Sequence, residues 1–157
     1  MANSLVKVYV HFVWTTRYRA CTIHPDWRRP VIRYVVSAMQ RIGCEVLAAN
    51  AVANHFHLLV TMPAVHSMAS VVNVAKGASS RFINTTLDPT GTFQWQNGYS
   101  AHSVSNTSLQ HVKRYIGDQQ RRHSDLDLDF EIVPCVDHTP STLVEPEWGE
   151  TAPDIAE

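Results

Sequence analysis

His55 and His57 alternate in the stretch Asn54-His55-Phe56-His57-Leu58-Leu59-Val60, which reads as a β-strand. Residues two apart on a strand point to one face, so the two imidazoles stand together while Phe56 and Leu58 turn to the core. Two neutral imidazoles at this spacing hold one divalent cation when a third ligand arrives from elsewhere. Far downstream, Tyr115 and Gln119 are four apart and share one face of a helix. Lys113, Arg114, Arg121 and Arg122 bracket that pair with positive charge. A phenol attacking phosphorus needs proximity, a metal ion on the phosphate oxygens and neutralisation of the developing charge. His55, His57 and Gln119 are therefore candidate metal ligands, and Tyr115 the candidate nucleophile. The same residues also fit plainer roles: polar strand positions, a half-buried helix aromatic and a surface amide.

The elements that must position them follow from hydrophobic period. Residues 5–16 alternate, with Val8, Val10, Phe12 and Trp14 on one side and Tyr9, His11 and Val13 on the other, which predicts a strand. His11, away from the apolar row, is expected as a polar strand residue rather than a ligand. Arg17 and Arg19 follow at its end. Residues 25–42 repeat apolar side chains at helical spacing and stop at Gly43. Strands are expected over 44–51 and 53–62 with a tight turn around Asn50. Pro63 ends the second, and Ser67 caps a helix running to about position 84. Lys76, Ser79, Ser80 and Arg81 gather hydroxyls and positive charge on its second half, a pattern suited to phosphate. A loop over 87–98, a short strand over 99–105 and a last helix over 108–122, capped by Asn106 or Thr107, complete the body. Acidic alternation after Ser124 suggests an edge strand, and four prolines beyond it an irregular tail. The order strand, helix, two strands, helix, strand, helix argues for an α+β fold, an antiparallel sheet with helices packed on it in a ferredoxin-like (RRM-like) arrangement.

Composition narrows the class. The chain has 157 residues, 45% of them hydrophobic, enough for one domain with a sizeable core. No apolar run approaches the length of a membrane span, and the first residues lack the pattern of a signal peptide, so a cytoplasmic protein without a membrane is expected. Cys21, Cys44 and Cys135 are odd in number and widely spaced, which favours free thiols over disulfides or a zinc site. The net charge of −1 hides a division. Residues 1–123 hold all 13 Lys and Arg against four acids, a net +9, while residues 124–157 carry ten acids and no Lys or Arg. A basic body implies a polyanionic partner, nucleic acid first among them.

Together the motifs resemble the single-tyrosine HUH transposases of the insertion-sequence 200/605 group (TnpA-type). The resemblance covers residues 7–123. It is carried by His11-Phe12-Val13-Trp14-Thr15-Thr16-Arg17-Tyr18-Arg19, the Asn54–Val60 stretch, Lys76-Gly77-Ala78-Ser79-Ser80-Arg81, Trp95-Gln96-Asn97-Gly98-Tyr99, Ser103-Val104-Ser105 and Val112-Lys113-Arg114-Tyr115-Ile116-Gly117-Asp118-Gln119. It implies an HUH nuclease domain over 7–123, followed by an acidic extension over 124–157. It further implies nicking and rejoining of single-stranded DNA at element ends through a 5′-phosphotyrosine on Tyr115. His55, His57 and Gln119 would hold Mg2+ or Mn2+, and DNA contacts would fall to Arg17, Arg19, Lys76, Ser80, Arg81, Lys113 and Arg114. Hairpin-ended DNA, a homodimer and a cytoplasmic, nucleoid-associated location are the expected partners and place. Two departures stand out: Asn54 where many relatives have Asp, and the acidic extension, which would compete with DNA or simply solvate.

Three other readings are set beside this one. A non-catalytic or domesticated DNA-hairpin binder would use the same basic body without Tyr115. A histidine-triad nucleotide hydrolase wants a third histidine where Leu59 stands. A structural metal protein fits poorly with two histidines and an amide, which make an open site.

Overall fold

The structure, a computed structural model, describes residues 4–119. Four strands, β1 (Tyr9–Thr15), β2 (Glu45–Ala51), β3 (His55–Thr61) and β4 (Ser100–Val104), form one antiparallel sheet in the order β2-β3-β1-β4. Helices α1 (Pro25–Arg41) and α2 (Met68–Phe82) join them, and α3 (Leu109–Gly117) closes the chain described. This is the ferredoxin-like α+β arrangement that the order of elements predicts.

The alternation of β1 decides the core. Val10, Phe12 and Trp14 are buried with Phe56, Leu58 and Val60 of β3 beneath Val31, Val35 and Met39 of α1 and Val71, Val72 and Ala75 of α2. Trp14 stacks on Phe56 with ring centroids 4.8 Å apart. The opposite face of the same strands carries His11, His55, His57 and Leu59, and α3 packs there against β2 and β3. Because β1 and β3 are central neighbours, their non-core residues meet beneath α3.

Several boundaries move. β1 begins at Tyr9, because its partners end opposite that residue at Thr61 and Val104; Val8, expected in the apolar row, precedes the strand and is 48% exposed. Asn50 lies inside β2, and the turn falls after it, closed by Val52 N–H donating to His55 O at 3.0 Å. Gly43 follows α1 with φ 74°, the left-handed end the sequence calls for. α2 passes into a π-helical turn over Ile83–Leu87. Neither Asn106 nor Thr107 caps α3: a 3-10 turn over Asn106–Ser108 leads into it, and the hydroxyls of Ser105, Thr107 and Ser108 bond one another instead of the helix N–H groups. α3 ends at Gly117. Arg121, Arg122, the expected edge strand and the acidic extension lie outside the described residues. Cys44 is a buried free thiol, whereas Cys21 is disulfide-bonded, which corrects the expectation of free thiols throughout. No helix among the described residues is long and apolar enough to cross a membrane.

Candidate active site

His55 and His57 stand on the α3 side of β3 with ring centroids 4.8 Å apart, close to perpendicular at 73°. His57 is only 4% exposed. Its Nδ1 lies 3.0 Å from His11 Nε2, with the ring centroids 5.2 Å apart and the planes inclined by 21°, so the rings meet edge to edge. Asn54 places Oδ1 2.7 Å from His55 Nδ1. An amide oxygen accepts only, so the His55 Nδ1–H is the donor.

α3 brings Tyr115 over this group. Its ring meets His57 edge-on at 5.8 Å and His11 at 6.2 Å, and the side chain remains 37% exposed. The tyrosine thus meets His57 and His11 of its own chain while keeping access to solvent. Gln119, just past the helix end, is 3% exposed and donates from Nε2 to Tyr115 O at 3.2 Å. The amide oxygen is the atom of that side chain suited to a hard cation.

Asn50 holds α3 in place. Its Nδ2 donates to Ile116 O at 2.7 Å, its Oδ1 accepts from Ala51 N–H at 2.9 Å, and Ile116 is fully buried. Register sets Asn50 directly opposite His57, so one cross-strand pair carries both the helix anchor and a site histidine.

The sequence missed the parts played by His11 and Asn50. His11 is expected as a plain polar strand residue, yet it contacts His57 and packs on Tyr115. Its face was legible; that β1 lies beside β3 was the missing information. Burial first, and the charge of His102 second, push the His11 ring down to about 4, so it is neutral at physiological pH.

The basic residues divide into groups. Lys113 and Arg114 flank Tyr115 on α3. Arg17 and Lys76 instead converge on the loop before β4: Arg17 bonds the Gln94 side chain, and Lys76 Nζ donates to Gln96 O at 2.6 Å and Gly98 O at 2.8 Å. Arg17 also lies over the exposed Tyr18 ring at 5.0 Å, and Tyr18 and Arg19 adopt left-handed φ of 58° and 54°. Ser80 donates to Gly77 O within its helix, and Arg81 is exposed on α2, across the sheet from α3. Ser79 is not a surface hydroxyl: it is fully buried and accepts from Trp95 Nε1–H at 2.9 Å.

The donor set fits a divalent cation chemically. His55, whose Nδ1–H donates to Asn54, would ligate through Nε2, and two imidazoles with an amide are an N/O donor set of the kind such a cation takes. Among the described residues no cluster of three His, Cys, Asp or Glu side chains suits a metal.

No curated protein matches the chain. Among solved structures it is similar to a candidate transposase from Deinococcus radiodurans R1, with a TM-score of 0.61 and 22% identity over 76% of this chain and 95% of that one. It is also similar to a REP-associated tyrosine transposase bound to a REP hairpin, with a TM-score of 0.58 and 15% identity over 78% of this chain and 72% of that one. At such identities the likeness shows the shared fold. The profile of the family described as "Transposase IS200 like" matches residues 4–119, which span the sheet, the histidine strand and the tyrosine helix. The chain belongs to the IS200-like transposase family.

Proposed function

We propose that this chain nicks and rejoins single-stranded DNA through a covalent link to Tyr115, with residues 7–123 as the catalytic domain. The observation that carries the reading is the approach of the Tyr115 ring to within 5.8 Å of His57, residues far apart in sequence with no apolar reason to meet. The phenol oxygen attacks the scissile phosphorus, forming the Tyr115 O–P bond as the P–O3′ bond breaks. The phenol proton is given up to the surroundings and the departing 3′ oxygen takes one on. The reverse attack by a free 3′-hydroxyl restores the phosphodiester and releases the tyrosine, so no nucleotide cofactor is needed. His55, His57 and Gln119 would hold Mg2+ or Mn2+, which when bound polarises the phosphate oxygens; oxygen-rich phosphate chemistry favours that hard class. Lys113 and Arg114 flank the tyrosine and balance charge on the phosphate. Arg17, Arg19, Ser80 and Arg81 are the further DNA contacts, and Lys76 acts through the loop it holds. The substrate is single-stranded DNA with hairpin ends, which fits the basic body and the REP hairpin held by the similar tyrosine transposase. A homodimer acting in the cytoplasm at the nucleoid completes the proposal.

The test is a denaturing gel. Labelled single-stranded DNA from the ends of the element is mixed with wild type, Tyr115→Phe and His57→Ala in Mg2+ or Mn2+. An adduct that survives denaturation, needs the metal and is absent from both variants is the expected result. DNA held in a native gel without any adduct would overturn this reading in favour of a non-catalytic hairpin binder.

A further inference from the structure

The two site histidines have their Nδ1 atoms held by different neighbours, Asn54 Oδ1 at 2.7 Å for His55 and His11 Nε2 at 3.0 Å for His57. A neutral imidazole carries one N–H and one lone pair, so fixing the proton at one nitrogen fixes the lone pair at the other. With its proton on Nδ1, His57 presents a lone pair at Nε2. Were His57 to accept at Nδ1, its proton would sit on Nε2 and no cation could bind there. His11 accepts at Nε2 only as a neutral ring whose own proton is on Nδ1.

We propose that His11 and Asn54 are positioning residues that hold His57 and His55 as Nδ1–H tautomers before any cation binds. The inference rests on the metal-site reading above. Geometry aims His11 Nε2 at His57 Nδ1. It sits on β1 opposite Leu59, diagonal to His57, with the two rings edge to edge at 5.2 Å and inclined by only 21°, and Tyr115 packs against it at 6.2 Å. An isolated neutral imidazole in water favours the proton on Nε2, so the held state has a distinct spectroscopic signature. Asn54 supplies the same service to His55 without adding a negative charge beside the cation.

The experiment uses the full-length, metal-free chain labelled with 15N at histidine, observed by long-range 1H–15N correlation at neutral pH. Wild type is expected to show His55 and His57 as Nδ1–H tautomers. In His11→Leu, His57 alone moves toward Nε2–H, and Mn2+ affinity measured by electron paramagnetic resonance falls about 10–100-fold. His11→Gln, which keeps an acceptor oxygen, stays near wild type in both readouts. Asn54→Ala shifts His55 alone. The proposal is overturned if wild-type His57 carries its proton on Nε2, if His11→Leu changes neither tautomer nor Mn2+ affinity, or if His11→Gln is as damaged as His11→Leu. The wild-type spectrum decides the matter even if a variant fails to fold. Expected tautomers and Mn2+ binding without any DNA adduct would support the positioning and overturn the strand-transfer reading.

Discussion

Substituting Asn50 by Ala should loosen the tyrosine helix. α3 has nine residues, too few for an isolated helix to persist in water, so its order comes from docking. The docking rests on the buried Ile116 and on Asn50, which bonds Ile116 O at 2.7 Å and Ala51 N–H at 2.9 Å from a position only 8% exposed. Asn50→Ala strips a buried carbonyl and a buried N–H of their partner, at roughly 2–4 kcal/mol together. If α3 opens as a local unit, that loss appears as about a 30- to 700-fold drop in amide exchange protection over residues 109–117, with the central strands little changed. Asn50→Asp should be worse, because its carboxylate keeps the Ala51 bond and faces the Ile116 carbonyl without a donor. Hydrogen exchange read by mass spectrometry gives the local loss, and denaturant unfolding gives the global one. Adduct formation with DNA should fall alongside the local loss, since Tyr115 precedes the anchored carbonyl by one residue. Unchanged protection in α3 for both variants would refute the argument that Asn50 holds the helix.

Ser79→Ala leaves the Trp95 indole N–H buried without its acceptor and should cost about 1–3 kcal/mol, seen as a lower denaturation midpoint with an unchanged slope. Burial raises the Cys44 thiol from an ordinary 9.0 to about 11. The unfolded chain therefore loses that proton first, so stability is full below pH 9, falls by about 2 kcal/mol as pH rises toward 11, and stays flatter in Cys44→Ala; denaturant titrations across that range check the sign. Lys76 is committed to Gln96 O and Gly98 O, so Lys76→Met should weaken the fold yet leave the salt dependence of DNA binding nearly unchanged. Arg114→Ala, by contrast, should reduce the magnitude of the log affinity against log salt slope by about 1, as measured by anisotropy over a salt series.

Local pattern was enough for much of this protein. Alternation in β1 and β3 placed Phe12, Trp14, Phe56 and Leu58 in the core and both site histidines on the other face, because the strand period admits only two faces. The order of elements carried the α+β topology, whereas Gln119, expected on the helix face of Tyr115, follows the end of α3 at Gly117. Which strands lie side by side was decided by the sheet alone. Pairing β1 with β3 turned His11 from an isolated polar residue into the partner of His57. Pairing β2 with β3 set Asn50 opposite His57, where its amide reaches the end of α3. Lys76 and Ser79 sit in a stretch whose composition suits phosphate, but their partners are the Gln96 and Gly98 carbonyls and the Trp95 indole, which approach only once the loop before β4 has packed against α2. Sequence period fixes which way a side chain faces. What it meets there depends on segments distant in the chain, and only the folded sheet brings those together.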